Sequence, residues 1–213
     1  MIIIIIPLLV VMLIFFWRYL KIETISEPIV RYSEIKDSLK TGDILSVSYD
    51  NINGFLVRLF SGSSYIHTGL VLRNENGVYV LESGFYKNKR GIMLSPLNRW
   101  IGKNSKIRIS YSSLIGPGLD SKRLLDVYEK TKECDINMFV VSWMQTLIKT
   151  KYKEQNKKSY FCSEYVCYCL QELGVVEKIH KPGNYTPNDI LFGRIPMSNE
   201  YCYMMPVKIG VQN

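Results

Sequence analysis

The sequence predicts an α+β domain, an antiparallel sheet packed on helices, behind an apolar N-terminal segment. Three observations carry that reading. Strand-like segments fill the chain from Ile44 to Ser112, and helical spacing takes over from Ser121. Residues 2–17, IIIIIPLLVVMLIFFW, contain no charged side chain.

The uncharged run comes first. At ~1.5 Å per residue, a helix of this length sits at the short end of what crosses a bilayer core. Trp17 and Tyr19 suit the interface, with Arg18 and Lys21 among the headgroups. No basic segment precedes the run and no A-x-A cleavage site follows it, so a retained transmembrane anchor over residues 1–20 is expected. A cleaved signal and a buried first strand are the alternatives. Arg18, Lys21, Arg31 and Lys36 all follow the span, which by the positive-inside rule leaves the domain on the cytoplasmic face. Residues 21–40 are expected as a linker with a short helix in IVRYSEIKDSL, and residues 41–213 as the domain.

In KTGDILSVSY, Gly42 and Asp43 mark a turn and ILSVSY alternates as a strand. GFLVRLFSG, 54–62, predicts a short amphipathic helix stopped at Gly62. HTGLVLRNENGVYVLES, 67–83, places two apolar runs around NENG, the strongest hairpin signal in the chain. GIMLSPL and KIRISYS predict two more strands. One helical stretch is expected from Ser121 to about Lys149, with Leu124, Val127 and Tyr128 followed by Met138, Val141 and Met144. A lysine-rich loop then leads to a second helix, SEYVCYCLQELG, ended by Gly174. The tail holds GNYTPNDIL and an apolar stretch, YCYMMPVKIG, expected as a strand.

Lys and Arg number 27 against 19 Asp and Glu, a net charge of +8, which suits an anionic surface. The densest basic run, KTKYKEQNKK at 149–158, is broken by a glutamate and reads as a solvated loop. Nucleic acid is therefore not an expected partner. The five cysteines are an odd count, and Cys167 and Cys169 stand one residue apart, unlike C-x-x-C sites. With only two histidines beside them, no metal and no cofactor is expected, and a reducing compartment fits the thiols.

Two of these residues have chemistry in view. A thiol attacks as thiolate, and a helix N-terminus favours that form through its unpaired N–H groups. Cys162 stands where the second helix begins. The plainer alternative is packing, because Cys162, Val166, Cys169 and Leu173 recur at helical spacing. Cys167 and Cys169, inside the helix, are expected as packing residues. His67 opens the hairpin, and an imidazole near neutral pH can take a thiol's proton and return it to a leaving group. If NENG closes a tight hairpin in an odd-sum register, Glu82 shares a face with His67 and can orient its ring. A lone carboxylate inside the apolar run VYVLES is otherwise costly. His180 is expected as a loop residue without a partner.

GDIL at 42–45, SYIHTGLVL at 64–72, LES at 81–83, YFCSEYV at 160–166 and YTPNDIL at 185–191 occur in that order. The ordered set resembles the circularly permuted papain-like proteins of the NlpC/P60 superfamily. Within it, the YiiX-like bacterial proteins and their relatives in poxviruses and other large DNA viruses are the nearest in pattern. More distantly it is similar to lecithin:retinol acyltransferase-like enzymes. The resemblance implies a permuted papain-like fold with Cys162 as nucleophile, His67 as base and Glu82 as the residue that orients it. Asp43 and Pro187 match structural signatures of that domain. Two departures stand out. The acyltransferase-like branch commonly has a histidine where this chain has Glu82, and the bacterial proteins are secreted with signal peptides.

The functional expectation is a membrane-anchored cysteine hydrolase or acyltransferase. It would act on an ester or amide through an acyl-thioester, with a membrane lipid or lipidated peptide as substrate. A murein-peptide amidase is one alternative and needs the domain outside a bacterial membrane. A non-catalytic virion membrane or envelope protein is another, in keeping with residue usage rich in Ile, Lys, Asn and Tyr.

Overall fold

The elements expected between Ile44 and Ser112 all form, and they assemble around one sheet. The structure, a computed structural model, describes residues 27–49, 52–86, 88–101, 107–136 and 158–210. The expected anchor over 1–20, the start of the linker, the distal half of the first long helix and most of the lysine-rich loop lie outside the described residues. Among the described residues no helix is long and apolar enough to cross a membrane.

The first half of the chain contains β1 (Ile29–Arg31), α1 (Tyr32–Ile35), β2 (Ile44–Tyr49) and α2 (Ile52–Ser61). The hairpin follows as β3 (His67–Asn74) and β4 (Gly77–Tyr86), then β5 (Lys89–Pro96), α3 (Leu97–Trp100), β6 (Ile107–Ser112) and β7 (Leu114–Ile115). The second half contains α4 (Ser121–Thr131), β8 (Asp135–Ile136), β9 (Ser159–Tyr160), α5 (Cys162–Glu172) and α6 (Pro187–Leu191). It ends with β10 (Cys202–Tyr203) and β11 (Val207–Gly210).

Seven strands form one sheet in the order β1-β11-β6-β2-β3-β4-β5. Neighbours run antiparallel except β1, which runs parallel to β11, so the sheet is mixed. This corrects two expectations. The sheet is not antiparallel throughout, and residues 29–39 are not linker. Ile29–Arg31 complete the edge beyond β11, while Leu39 is fully buried beneath the sheet. The pairing partner lies at the other end of the chain, where local pattern cannot reveal it.

Side chains alternate between two apolar layers. On one face Ile44, Leu70, Leu72, Leu81 and Ile92 pack against Tyr165, Val166, Cys169 and Leu170 of α5. On the other, Leu45, Val47, Val71, Val80 and Ile109 pack with Leu39 and Trp100. Each fully buried aliphatic side chain contributes about 1.5–3 kcal/mol of transfer free energy. Both layers therefore hold β3 and β4 firmly in register.

The helix expected to run to about Lys149 ends at Thr131. Asp120 caps its start, accepting from the Lys122 N–H at 2.8 Å. Beyond its end, Asp135 and Ile136 pair in parallel with Ser159 and Tyr160. The preceding turn lies on β5, where the Ile92 N–H donates to the Cys134 carbonyl at 3.2 Å. Gly91, at φ 108°, permits that approach: a Cβ there would stand 2.5 Å from the Cys134 carbonyl oxygen. This backbone contact holds the chain that follows α4 against β5.

Candidate active site

The hairpin places the first two candidate residues. Leu70 pairs with Leu81 and Asn74 with Gly77, the odd-sum register expected of NENG. Continued along the strands, that register puts Gly84 opposite His67 and Glu82 on the diagonal. His67 Nε2 and Glu82 Oε2 are 2.7 Å apart. Gly84 leaves room for the ring, since a Cβ there would meet His67 Cε1 at 3.2 Å.

Glu82 is buried, with 4% of its side chain exposed, yet well satisfied. Its Oε1 accepts from Ser95 Oγ and, at 3.3 Å, from Trp100 Nε1. Arg99 Nη1 lies 3.3 Å from the same oxygen and also donates to Ser95 Oγ. Burial by itself would raise the Glu82 carboxyl. The bond to His67 and its charge, helped by Ser95 and Arg99, overcome this and hold it below the ordinary carboxylate range.

Trp100 has a second role. Its ring stacks on His67 with centroids 5.2 Å apart and planes at 23°. Gly69 makes space for it: a Cβ there would sit 2.9 Å from Trp100 Cζ2 and 2.4 Å from Val80 Cγ1. Burial works to lower the His67 pKa, but hydrogen bonding and charge from Cys162 and Glu82 raise it to about 10.

Cys162 is the first residue of α5, after Phe161 in extended conformation. Its thiol lies near enough to the His67 ring to help raise the ring's pKa, and it approaches the Ile66 carbonyl at 3.9 Å. With Nε2 engaged by Glu82, Nδ1 is the ring nitrogen available to the thiol. The structure thus brings Cys162, His67 and Glu82 to the wall of one cleft. Cys167 and Cys169 lie fully buried in the core, where desolvation raises both thiols. His180 is elsewhere, its carbonyl accepting from Gln171 Nε2 at 2.9 Å.

Three buried polar ties assemble these elements. Ser83 Oγ donates to the Tyr160 carbonyl at 2.6 Å, joining the strand of Glu82 to the approach to Cys162. Ser163 Oγ donates to the Tyr185 carbonyl at 2.7 Å, fixing the first turn of α5. Asn188 Oδ1 accepts from Ser63 Oγ and from the Ser64 and Tyr65 N–H groups, at 2.7, 3.0 and 3.2 Å. This pins the loop that leads into His67. Asn188 is held by the reciprocal cap of Thr186 and Asp189 on α6, with Pro187 in the first turn. Asp43 is structural, as expected: it accepts from the Leu114 N–H at 2.9 Å and Tyr111 Oη at 3.0 Å.

Cys162, His67 and Glu82 line a cleft of about 330 Å³. Sequence reasoning did not find Ser95, Arg99, Trp100 or Asn188. The first three sit around a four-residue helix with no readable periodicity, although a tryptophan one residue after an arginine beside an apolar strand is a usable hint. Among the described residues, no three His, Cys, Asp or Glu side chains gather as a metal site would require.

The sequence profile of the permuted papain-like amidase enzymes, YaeF/YiiX, C92 family, matches residues 38–193. An uncharacterised protein of Acanthamoeba polyphaga mimivirus, R372, is 38% identical over 71 residues, covering 30% of this chain and 28% of that protein. The chain thus spans well under half the length of that relative. A crystal structure of yiiX from Escherichia coli O157:H7, described as a metalloprotein, aligns with a TM-score of 0.45 at 16% identity. That alignment covers 81% of this chain and 97% of the bacterial one.

Proposed function

The chain belongs to the permuted papain-like amidase family of YaeF and YiiX, and on that premise we propose that it is a cysteine hydrolase using Cys162, His67 and Glu82. The observation that carries the proposal is a cleft lined by Cys162, at the start of α5, and by a His67 ring hydrogen-bonded to buried Glu82.

The thiol proton passes to His67 Nδ1 and the sulfur adds to the carbonyl carbon of an ester or amide. The carbonyl electron pair moves to oxygen, where first-turn N–H groups of α5, which have no helical carbonyl to bond, can meet it. Collapse expels the alcohol or amine, which takes the proton from His67, and leaves a thioester on Cys162. Water then gives a proton to His67 and adds to the thioester. A second collapse releases the acid and regenerates the thiol. An alcohol or amine in place of water makes the same site an acyltransferase.

The test is chemical. Iodoacetamide should label Cys162 of the folded protein at least tenfold faster than Cys167 or Cys169, which burial keeps protonated and covered. Equal rates for the three would return Cys162 to a packing role.

The uncharged run at residues 2–17 supports a retained anchor, with the domain on the cytoplasmic side and a membrane lipid or lipidated peptide as substrate. Alkaline carbonate extraction should leave the full chain in the membrane pellet and release a chain lacking residues 1–20. Recovery of the full chain in the supernatant would end the anchor proposal.

A further inference from the structure

The loop that leads into His67 is tied to a carboxylate that the mechanism does not use. Glu27 lies just before β1, outside the lining of the cleft. One of its oxygens accepts from the Tyr65 hydroxyl and the other from Ser110 Oγ, and the two hydroxyl oxygens stand 2.6 Å apart. Tyr65 and Ser110 are 2% and 0% exposed. Buried hydroxyls need acceptors, and one carboxylate can accept from both. Burial, and then the bond to Glu27, raise the Tyr65 hydroxyl above its ordinary range, so it stays a donor. The Arg108 guanidinium lies 5.6 Å over the same ring.

Tyr65 stands two residues before His67, and both of its ends are held. Its N–H donates to Asn188 Oδ1 at 3.2 Å, and its ring lies in the apolar layer that includes α5. Glu27 and Ser110 hold the far end. The chain beyond it has little slack. The Ile66 N–H donates to the Val47 carbonyl at 2.9 Å, and the Ile66 carbonyl faces the Cys162 thiol at 3.9 Å. His67 follows directly. A tyrosine side chain turns about two bonds only, so fixing its hydroxyl fixes the direction in which the backbone leaves Tyr65.

We propose, resting on the cysteine hydrolase reading, that Glu27 is a positioning residue for the reaction: acting through Tyr65, it sets where His67 and the Ile66 carbonyl stand against the Cys162 thiol. A catalytic constellation must be held within about 0.5 Å of its productive geometry. A displacement of about 1 Å, made far from the chemistry, can lower the rate on the order of 10²-fold. The point where the N-terminal segment enters the domain is thereby part of the support of the active site.

The experiment uses the full-length chain in lipid nanodiscs with p-nitrophenyl octanoate, and turnover is counted only where Cys162→Ala removes it. Glu27→Ala should lower kcat roughly tenfold, with KM within about twofold of wild type. Tyr65→Phe should do the same, and the double variant should be little worse than either single one. Glu27→Gln should stay within about threefold of wild type, because its amide still accepts from Tyr65 and can donate to the Ser110 hydroxyl. Val30→Ala separates position from stability. It loosens β1 from the second apolar layer without touching Tyr65, so it should lower the melting temperature and leave kcat unchanged. Iodoacetamide labelling of Cys162 and the NMR signals of the His67 ring follow the same displacement without substrate, and both should change in Glu27→Ala but not in Val30→Ala. Should circular dichroism show Glu27→Ala unfolded, Tyr65→Phe carries the test, since it removes only the hydroxyl that Glu27 holds. A folded Glu27→Ala or Tyr65→Phe protein with wild-type kcat, labelling rate and ring signals would overturn this inference alone. Equal kcat losses in Glu27→Ala and Val30→Ala would also overturn it, leaving Glu27 as a fastening of the edge strand. Absence of Cys162-dependent turnover in the wild type, with no selective alkylation of Cys162, would overturn the hydrolase reading and this one with it.

Discussion

Replacing His67 with alanine is expected to lower Cys162-dependent kcat/KM by on the order of 10⁴–10⁶-fold, the range seen when the base of a nucleophile–base unit is removed. Two losses combine. No group then takes the thiol proton, and none returns a proton to the leaving group. The substitution also removes one ring of the His67–Trp100 stack, so stability should be followed by thermal melting alongside the ester assay. A folded His67→Ala protein retaining activity within tenfold of wild type would mean that the ring does not serve as the base.

Glu82→Gln is expected to cost on the order of 10²–10⁴-fold in the same assay, because the amide keeps an acceptor but loses the charge that supports an imidazolium. The pH dependence should move with it. His67 has its pKa raised above 6.5, to about 10, so its protonation stabilises the fold fully below 6.5 and that contribution fades as pH rises toward 10. Without the Glu82 charge the folded pKa falls, and the imidazole titration seen by NMR should shift to lower pH. The His67→Ala/Glu82→Gln double variant should be little worse than His67→Ala, since the carboxylate acts through the ring. Additive losses in the double variant, or an unmoved titration, would assign Glu82 to the fold instead.

These two positions were legible in the sequence for a reason that is local. NENG sets the hairpin register, and the register alone decides that residue 82 stands diagonally across from residue 67. Cys162 was legible because it stands directly before SEYVCYCLQELG, where the helical pattern begins. What surrounds them was not. Trp100 reaches His67 from a helix of four residues, too short to show a period. Asn188 acts on a loop 124 residues away at Ser64, through backbone N–H groups that carry no side-chain signature. The early end of α4 and the edge strand β1 likewise depend on partners remote in the chain. Local periodicity reports which face of an element is apolar, but it cannot report which distant segment covers that face.

The central claim is that Cys162 carries the acyl group, and a trapped intermediate tests it most directly. Full-length protein mixed with p-nitrophenyl octanoate is quenched in acid within the first turnover, digested and mapped by mass spectrometry. The account predicts one octanoyl group on the peptide containing Cys162, labile to neutral hydroxylamine and missing from Cys162→Ala. Octanoyl found on a serine, on Cys202 or on Cys134, with the Cys162 peptide unmodified while hydrolysis proceeds, would contradict it.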